Sequence, residues 1–166
     1  MKNMHKAEVI EPCEQMLLVY QDATERLVLF NREEVPFPDG KLIVSRTDLE
    51  GRITHCNQSF VDMAGYNKDE LIGAPHHILR HPDMPAAAFS DLWQTVGCGK
   101  KWHGYVKNLR KDGRYYWVYA TVIPNIRNEK TVGYTSVRRK PSRSKVEECI
   151  SLYARMKQVE VDAHAL

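Results

Sequence analysis

The sequence predicts an α+β fold: a five-stranded antiparallel sheet, short helices closing over one face of it, and a flanking helix at each end. Three observations carry this. Two short strand-like runs, Leu42 to Thr47 and Arg52 to Cys56, are joined by the tight turn Asp48-Leu49-Glu50-Gly51. Three helix patterns with their own start and stop signals follow between Asn57 and Gly97. The second half is then strand-like in three runs rich in Trp, Tyr, Val and Thr.

Taken in order, residues 1–40 form an N-terminal helical appendage. Met16, Leu17, Tyr20, Leu27 and Val28 fall near helical spacing, which predicts an amphipathic helix after Pro12, although Arg26 to Phe30 reads equally as a short strand. Val35-Pro36-Phe37-Pro38-Asp39-Gly40 is a turn-rich boundary. The main domain spans residues 41–140. After the first two strands, Asn57 stands at a helix N-cap, Phe60, Val61 and Ala64 face inward, and Gly65 ends that helix. Asn67-Lys68-Asp69-Glu70 has capping-box spacing and Gly73 closes a second short helix. A third helix, about Ala86 to Val96, carries Phe89, Leu92, Trp93 and Val96 at i, i+3, i+4 and i+7. Trp102 to Leu109 and Arg114 to Ile123 are strands around the hairpin turn Lys111-Asp112-Gly113, and Thr131 to Arg139 is the last strand. Residues 141–166 form a C-terminal signalling or linker helix, opened by Ser144-x-x-Glu147, with Val146, Ile150, Tyr153 and Met156 on one face.

Composition narrows the function classes. The 166 residues are 43% hydrophobic and 27% charged, as expected for one globular domain with appendages. A net charge of +3 is too small to argue for nucleic acid. No apolar run approaches the roughly 20 residues that span a bilayer, and no secretory h-region is present. Cys13, Cys56, Cys98 and Cys149 are scattered without a Cys-x-x-Cys pair, so neither a zinc site nor a disulfide framework is expected. A cytoplasmic location is the default.

Pro75 to Pro85, Pro-His-His-Ile-Leu-Arg-His-Pro-Asp-Met-Pro, concentrates the chemistry. Its prolines fix φ and remove backbone donors, so Arg80, His81 and Asp83 stand on an irregular connection that the fold must support. Arg is a planar donor suited to phosphate or carbonyl oxygens. A loop-bracing Arg80–Asp83 ion pair, with His81 capping a turn, is the structural alternative. Helices over one sheet face enclose a pocket of small-cofactor size. Trp93, Trp102, Tyr116 and Trp117 concentrate around it; Trp93 and Trp117 serve a core equally well, while Trp102, flanked by two Lys and a His, fits a flat ligand. Asn108, an even number of residues from Trp102, shares its strand face and needs a hydrogen-bond partner there, from a ligand or from water. His81 and Asp83 resemble a base and its orienter, but no nucleophile accompanies them, so an enzyme is not expected.

Asp48-Leu49-x-Gly51-x-Ile53-Thr54-x-x-Asn57, Gly65-Tyr66-x-x-x-Glu70-Leu71-x-Gly73, Arg80-His81-Pro82-Asp83-Met84-Pro85, Trp102-x-Gly104, Lys107-Asn108-x-Arg110-Lys111-x-Gly113 and Tyr116-Trp117-Val118 together resemble a PAS sensory domain. The branch they resemble is the FAD-binding PAS domain of bacterial aerotaxis receptors. The resemblance runs from about Leu42 to Arg139. It implies FAD in the pocket, supported by Asn57, Arg80, His81 and Asp83, with Trp93, Trp102 and Asn108 lining or approaching the flavin. It also implies a redox or oxygen sensor acting on a chemotaxis receptor or kinase pathway, and a homodimer. Aerotaxis receptors continue into a membrane anchor and a methyl-accepting signalling domain, which these residues do not contain. Segment 75–85 has no cysteine for the flavin adduct of light-sensing relatives. A haem-binding gas sensor using His76, His77 or His103, and a cofactor-free dimerisation module, are the competing expectations.

Overall fold

Where the periodicity predicts a helix after Pro12, the chain forms a β-hairpin of β1 (Glu14–Val19) and β2 (Glu25–Phe30). The computed structural model describes residues 1–165; Leu166, the end of the expected C-terminal segment, lies outside the described residues. Local turn chemistry decides for the hairpin. The Asp22 carboxylate accepts from both the backbone N–H and the hydroxyl of Thr24, and Ala23 takes a positive φ of 62°. Such an Asx turn folds the chain back on itself. The burial then alternates with period two, Leu18 on β1 and Tyr20 just past its end turned inward, Arg26 and Val28 inward on β2. Leu18, Tyr20 and Val28 pack with Met4, Val9, Leu29 and Leu109 into a core of their own.

The remaining elements follow the predicted order. Strands β3 (Ile43–Thr47), β4 (Ile53–Cys56), β5 (Trp102–Leu109), β6 (Tyr115–Arg127) and β7 (Lys130–Arg139) form one antiparallel sheet in the order β4-β3-β7-β6-β5. Strand β6 runs past the predicted Ile123; Pro124 is accommodated beside a register shift at Asn125/Ile126. Helices α1 (Gln58–Ala64), α2 (Lys68–Leu71) and α3 (Ala86–Gly97) cover one face. Asn57 caps α1, Gly65 ends it at φ 75°, and the Asn67–Glu70 capping box is present. Ile43, Phe60, Leu71, Leu79, Tyr116 and Val118 are central to the core between helices and sheet.

Helix α4 (Arg143–His164) lies across the other sheet face, where Tyr153 stacks on Trp117 and its hydroxyl donates to the Tyr105 carbonyl at 2.6 Å. Trp117 is therefore a core residue beneath α4. Val146 is buried and Tyr153 half-buried, but Ile150 is 45% exposed, so the packed face is rotated slightly from the predicted one.

Residues 75–85 join the two cores. His76–Leu79 makes one 3₁₀ turn, and Arg80 pairs through its backbone with Asn108 of β5. His81 is 1% exposed, with the rings of Phe30 and Tyr115 edge-on to it at 5.5 and 5.9 Å. Its Nδ1 accepts the Asp83 N–H at 3.0 Å. The Asp83 carboxylate pairs with Lys107 at 2.7 Å, so the brace of this loop is Asp83–Lys107 and not Arg80–Asp83.

Burial, with the Lys107 ammonium beside it, holds the His81 imidazole well below the usual histidine range, against the attraction of Asp83. An unfolded histidine takes up a proton near pH 6.5, and native His81 does not. Stability is therefore full above pH 6.5 and falls as pH drops below it, by up to about 1.4 kcal/mol per pH unit for each such histidine. His81→Asn keeps an acceptor at the δ position and removes the titration. Urea unfolding between pH 7 and 4.5 should show a shallower acid decline in this variant; an unchanged acid limb would refute this account of His81.

Candidate functional site

A cavity of about 340 Å³ lies between the inner sheet face and the helices. Period-two alternation supplies its floor: Trp102, Val106 and Asn108 from β5, Val118, Ala120 and Val122 from β6, Tyr134, Ser136 and Arg138 from β7. Phe89, Leu92 and Trp93 of α3 form one wall and Pro75, His76, His77 and Arg80 another. The tip of the N-terminal hairpin, Tyr20-Gln21-Asp22, closes a side that the main domain alone leaves open. The size and the largely apolar lining are those of a small-molecule site.

Four of the seven sequence-predicted site residues meet on this cavity: Arg80, Trp93, Trp102 and Asn108. The Trp102 indole donates to Asp91 at 2.8 Å and lies over Gly104, where any Cβ would collide with the ring. Trp102 is thus a fixed, flat wall whose N–H is already used. Trp93, 37% exposed, stands against Gly51 and edge-on to Tyr134 at 5.5 Å. Asn108 is 5% exposed and directly opposite Tyr116, whose hydroxyl it reaches. Burial pushes the Tyr116 phenol up to about 12, so it stays protonated. The Arg80 guanidinium lies over the Phe89 ring at 5.0 Å and makes one long bond to the Met84 carbonyl, 3.4 Å.

Asn57, His81 and Asp83 do not reach the cavity wall. The Asn57 side chain accepts from Phe60 and Val44 N–H groups and donates to the Leu42 carbonyl, tying α1 to β3. His81 and Asp83 face the hairpin and Lys107, behind the wall that Arg80 presents.

Sequence reasoning missed the most polar part of the site. Arg138, 2% exposed, donates to the Ser45 hydroxyl at 2.6 Å and meets His76 Nε2 at 3.0 Å, with its guanidinium over the Phe60 ring. His76 is pushed down to about 3 by burial and then by Arg138, so it is neutral and its Nε2 accepts. The alternation Tyr134, Ser136, Arg138 along the last strand was the available signal. Burial lowers the pKa of Arg138 to about 10. Among the described residues no carboxylate lies within 4 Å of Arg26, Arg80 or Arg138. Buried side-chain atoms without a partner gather at the same cavity: Tyr20 Oη, Thr47 Oγ1, His77 Nε2, Arg80 Nε and Arg138 Nε all belong to lining residues. Buried donors left unpaired are costly, so their grouping around one cavity marks a place for a ligand rich in acceptors. Among the described residues no group of His, Cys, Asp and Glu side chains forms a metal site, and no helix is long and apolar enough to cross a membrane.

Known proteins agree with this architecture. The PAS fold profile matches residues 53–138. The aerotaxis receptor of Escherichia coli (strain K12) is 43% identical over 122 residues, 74% of this chain and 24% of the receptor, so the chain spans about a quarter of that relative's length. The crystal structure of a PAS domain from Colwellia psychrerythraea superimposes with TM-score 0.56 at 28% identity, covering 61% of this chain and 87% of that one. The light-state structure of the blue-light photoreceptor Aureochrome1 LOV, 20% identical, has the same fold with TM-score 0.58 over 70% of this chain and 91% of that one. These matches place the chain in the PAS fold family, with a PAS domain of the aerotaxis-receptor type.

Proposed function

We propose that this chain is a flavin-binding sensory module that holds FAD in the cavity and passes its redox state to a signalling partner, a chemotaxis receptor or kinase pathway in the cytoplasm. The observation that carries the proposal is the match between ligand and lining. A flavin nucleotide offers a flat apolar ring edged with acceptors, and phosphate oxygens; the cavity offers aromatic walls and unpaired buried donors on cations without counter-ions. Arg80, Trp93, Trp102, Asn108 and Arg138 are the residues proposed to touch it, and Asn57, His81 and Asp83 to hold the surrounding frame. Haem suits the site less well. His76 spends Nε2 on Arg138 and Ser45, and His103 stacks on Tyr119 and bonds Thr121 away from the lining, which leaves His77 alone as an axial ligand. A homodimer belongs to the same proposal, with the exposed Met16, Leu17 and Val19 of the hairpin as the apolar surface offered to a second copy.

A bound flavin supplies reversible uptake of electrons and a proton at its ring. Asn108 offers an amide oxygen and an NH₂ on the same rotor, so a half-turn exchanges an acceptor for a donor. Hydrogen bonds exchanged this way are worth on the order of 1 kcal/mol each, within the range of about 1–3 kcal/mol that biases two-state elements. Strand β5 carries Asn108 and, three residues before it, the Tyr105 carbonyl that receives the Tyr153 hydroxyl of α4.

The purified protein should show the two-band absorbance of flavin, and the cofactor released by heat should chromatograph as FAD. A Soret band, or a colourless protein that gains no absorbance on incubation with FAD, would overturn the proposal. Arg80→Ala should lose flavin while the apo protein keeps its melting temperature within a few degrees. Asp83→Ala, which breaks the Lys107 brace, should keep flavin; equal flavin loss from both variants would return Arg80 to a bracing role.

Asn108→Ala should retain FAD and abolish the difference in amide exchange between oxidised and reduced protein along β5–β7 and α4. A variant with the full wild-type difference would remove Asn108 as the switch.

A further inference from the structure

We infer that the tip of the N-terminal hairpin completes the cavity as a phosphate subsite, in which Tyr20, His77 and Arg80 hold a phosphate of the flavin nucleotide. The inference rests on the flavin reading and adds residues that lie outside the matched residues 53–138 or outside the motif that suggested it.

Tyr20 is 4% exposed, and its ring stacks on His77 with centroids 4.1 Å apart and planes 12° from parallel. Its hydroxyl, His77 Nε2 and Arg80 Nε are all buried, all without a partner, and all on residues lining the same cavity. Each can donate: a phenol O–H, an imidazole N–H in the Nε2–H tautomer, and a guanidinium N–H. The charge at this end is positive. Arg26, 3% exposed, lies beside Tyr20 and spends its donors on the Lys2 and Ile78 carbonyls and the Tyr66 hydroxyl, which leaves its charge uncompensated. Being donor-only, Arg26 cannot satisfy the Tyr20 O–H. The nearest acid on the hairpin, Asp22, also lines the cavity and its charge acts on His77, but its Oδ1 is held within its own turn by Thr24. A buried guanidinium (Arg26) and a half-buried one (Arg80), neither with a carboxylate within 4 Å among the described residues, together with three unfilled donors outweigh the single Asp22 carboxylate and call for a ligand group with several oxygens and negative charge. Phosphate has that chemistry, and charge-assisted bonds to it are the strong ones.

The test is titration of the apo protein with riboflavin, FMN and FAD, read by quenching of flavin fluorescence, in wild type and Tyr20→Phe. The variant keeps the ring and its stack on His77 and deletes only the hydroxyl. Wild type should bind FMN and FAD at least about tenfold more tightly than riboflavin. Tyr20→Phe should weaken FMN and FAD by about 5- to 30-fold and riboflavin by less than about twofold. His77→Phe, which also preserves stacking, should repeat the pattern. Equal wild-type affinity for all three flavins overturns the phosphate subsite and leaves the flavin proposal standing. So does a Tyr20→Phe loss as large for riboflavin as for FMN. Binding of no flavin overturns both.

Discussion

The backbone pairing of Arg80 with Asn108 is the contact on which the cavity depends. Segment 75–85 is interrupted by prolines and holds itself only by short local bonds, from the Ile78, Arg80 and Met84 N–H groups to the carbonyls of Pro75, His77 and His81. One bridge to β5 fixes where the segment crosses the sheet, and everything near it is positioned accordingly. On the cavity side it presents Arg80; on the other it buries His81 between Phe30 and Tyr115. The hairpin then closes from outside. Arg26 donates to the Ile78 carbonyl within the segment's single 3₁₀ turn, satisfying a backbone group that this short turn leaves open. The same hairpin is anchored further along by bonds from Ile10 and Asn31 N–H to the carbonyls of Asp112 and Gly113 at the β5–β6 turn. Gly113, at φ 86°, admits the Val9 side chain where a Cβ would crowd it.

That arrangement concentrates cations where desolvation is most expensive. Arg26, Arg80 and Arg138 together place three guanidiniums in or beside the cavity without an ion-pair partner within 4 Å among the described residues. Elsewhere the chain compensates its arginines in the ordinary way: Asp112 bridges Arg110 and Arg114, and Glu34 meets Arg143. The difference is not one of sequence supply, since the chain has 21 acidic residues against 24 Lys and Arg. It is one of placement. Neutral oxygens and rings at the cavity, Ser45, Phe60, Phe89 and Met84 carbonyl, solvate the guanidiniums without cancelling their charge. A pocket solvated in this way favours an electron-rich occupant at either end.

The sequence disclosed the elements whose punctuation is local. Asn57 and Gly65 around α1, the Asn67–Glu70 box, and the even spacing of Trp102 and Asn108 all act within a few residues, and each appears where predicted. The hairpin was misread because its apolar residues occupy both faces. Met16, Leu17 and Val19 are exposed while Leu18 and Tyr20 are buried, so a helical count finds matches at random. Asp22-Ala23-Thr24 was the decisive local signal. Alternation puts Arg138 on one strand face with Tyr134 and Ser136, but that this face is buried follows from β7 lying in mid-sheet between β3 and β6, a fact of topology. Nor does spacing reveal that His81 turns away from Arg80. Adjacent residues on an extended connection point to opposite sides, and only the position of Phe30, from another core, shows which side is which.

Both appendages are connected to the cavity, the hairpin directly and α4 through the sheet, and their mechanical consequences differ. The hairpin supplies lining: Tyr20, Gln21 and Asp22 stand on the cavity wall. Helix α4 never touches the cavity. It is held through the sheet, by Tyr153 on the Tyr105 carbonyl and on Trp117, and at its far end by Glu160 accepting the Ala87 N–H at the start of α3. Strand β5 and helix α3 both line the cavity, and α4 bonds to both. A relative shift of strand and helix is therefore felt by α4 at two points separated along its length, as a change in tilt. One hydrogen-bond exchange of about 1 kcal/mol at the cavity is small beside the packing of the sheet, but it need not break that packing. Along α4 itself, Ile150, Leu152, Val159 and Val161 remain exposed.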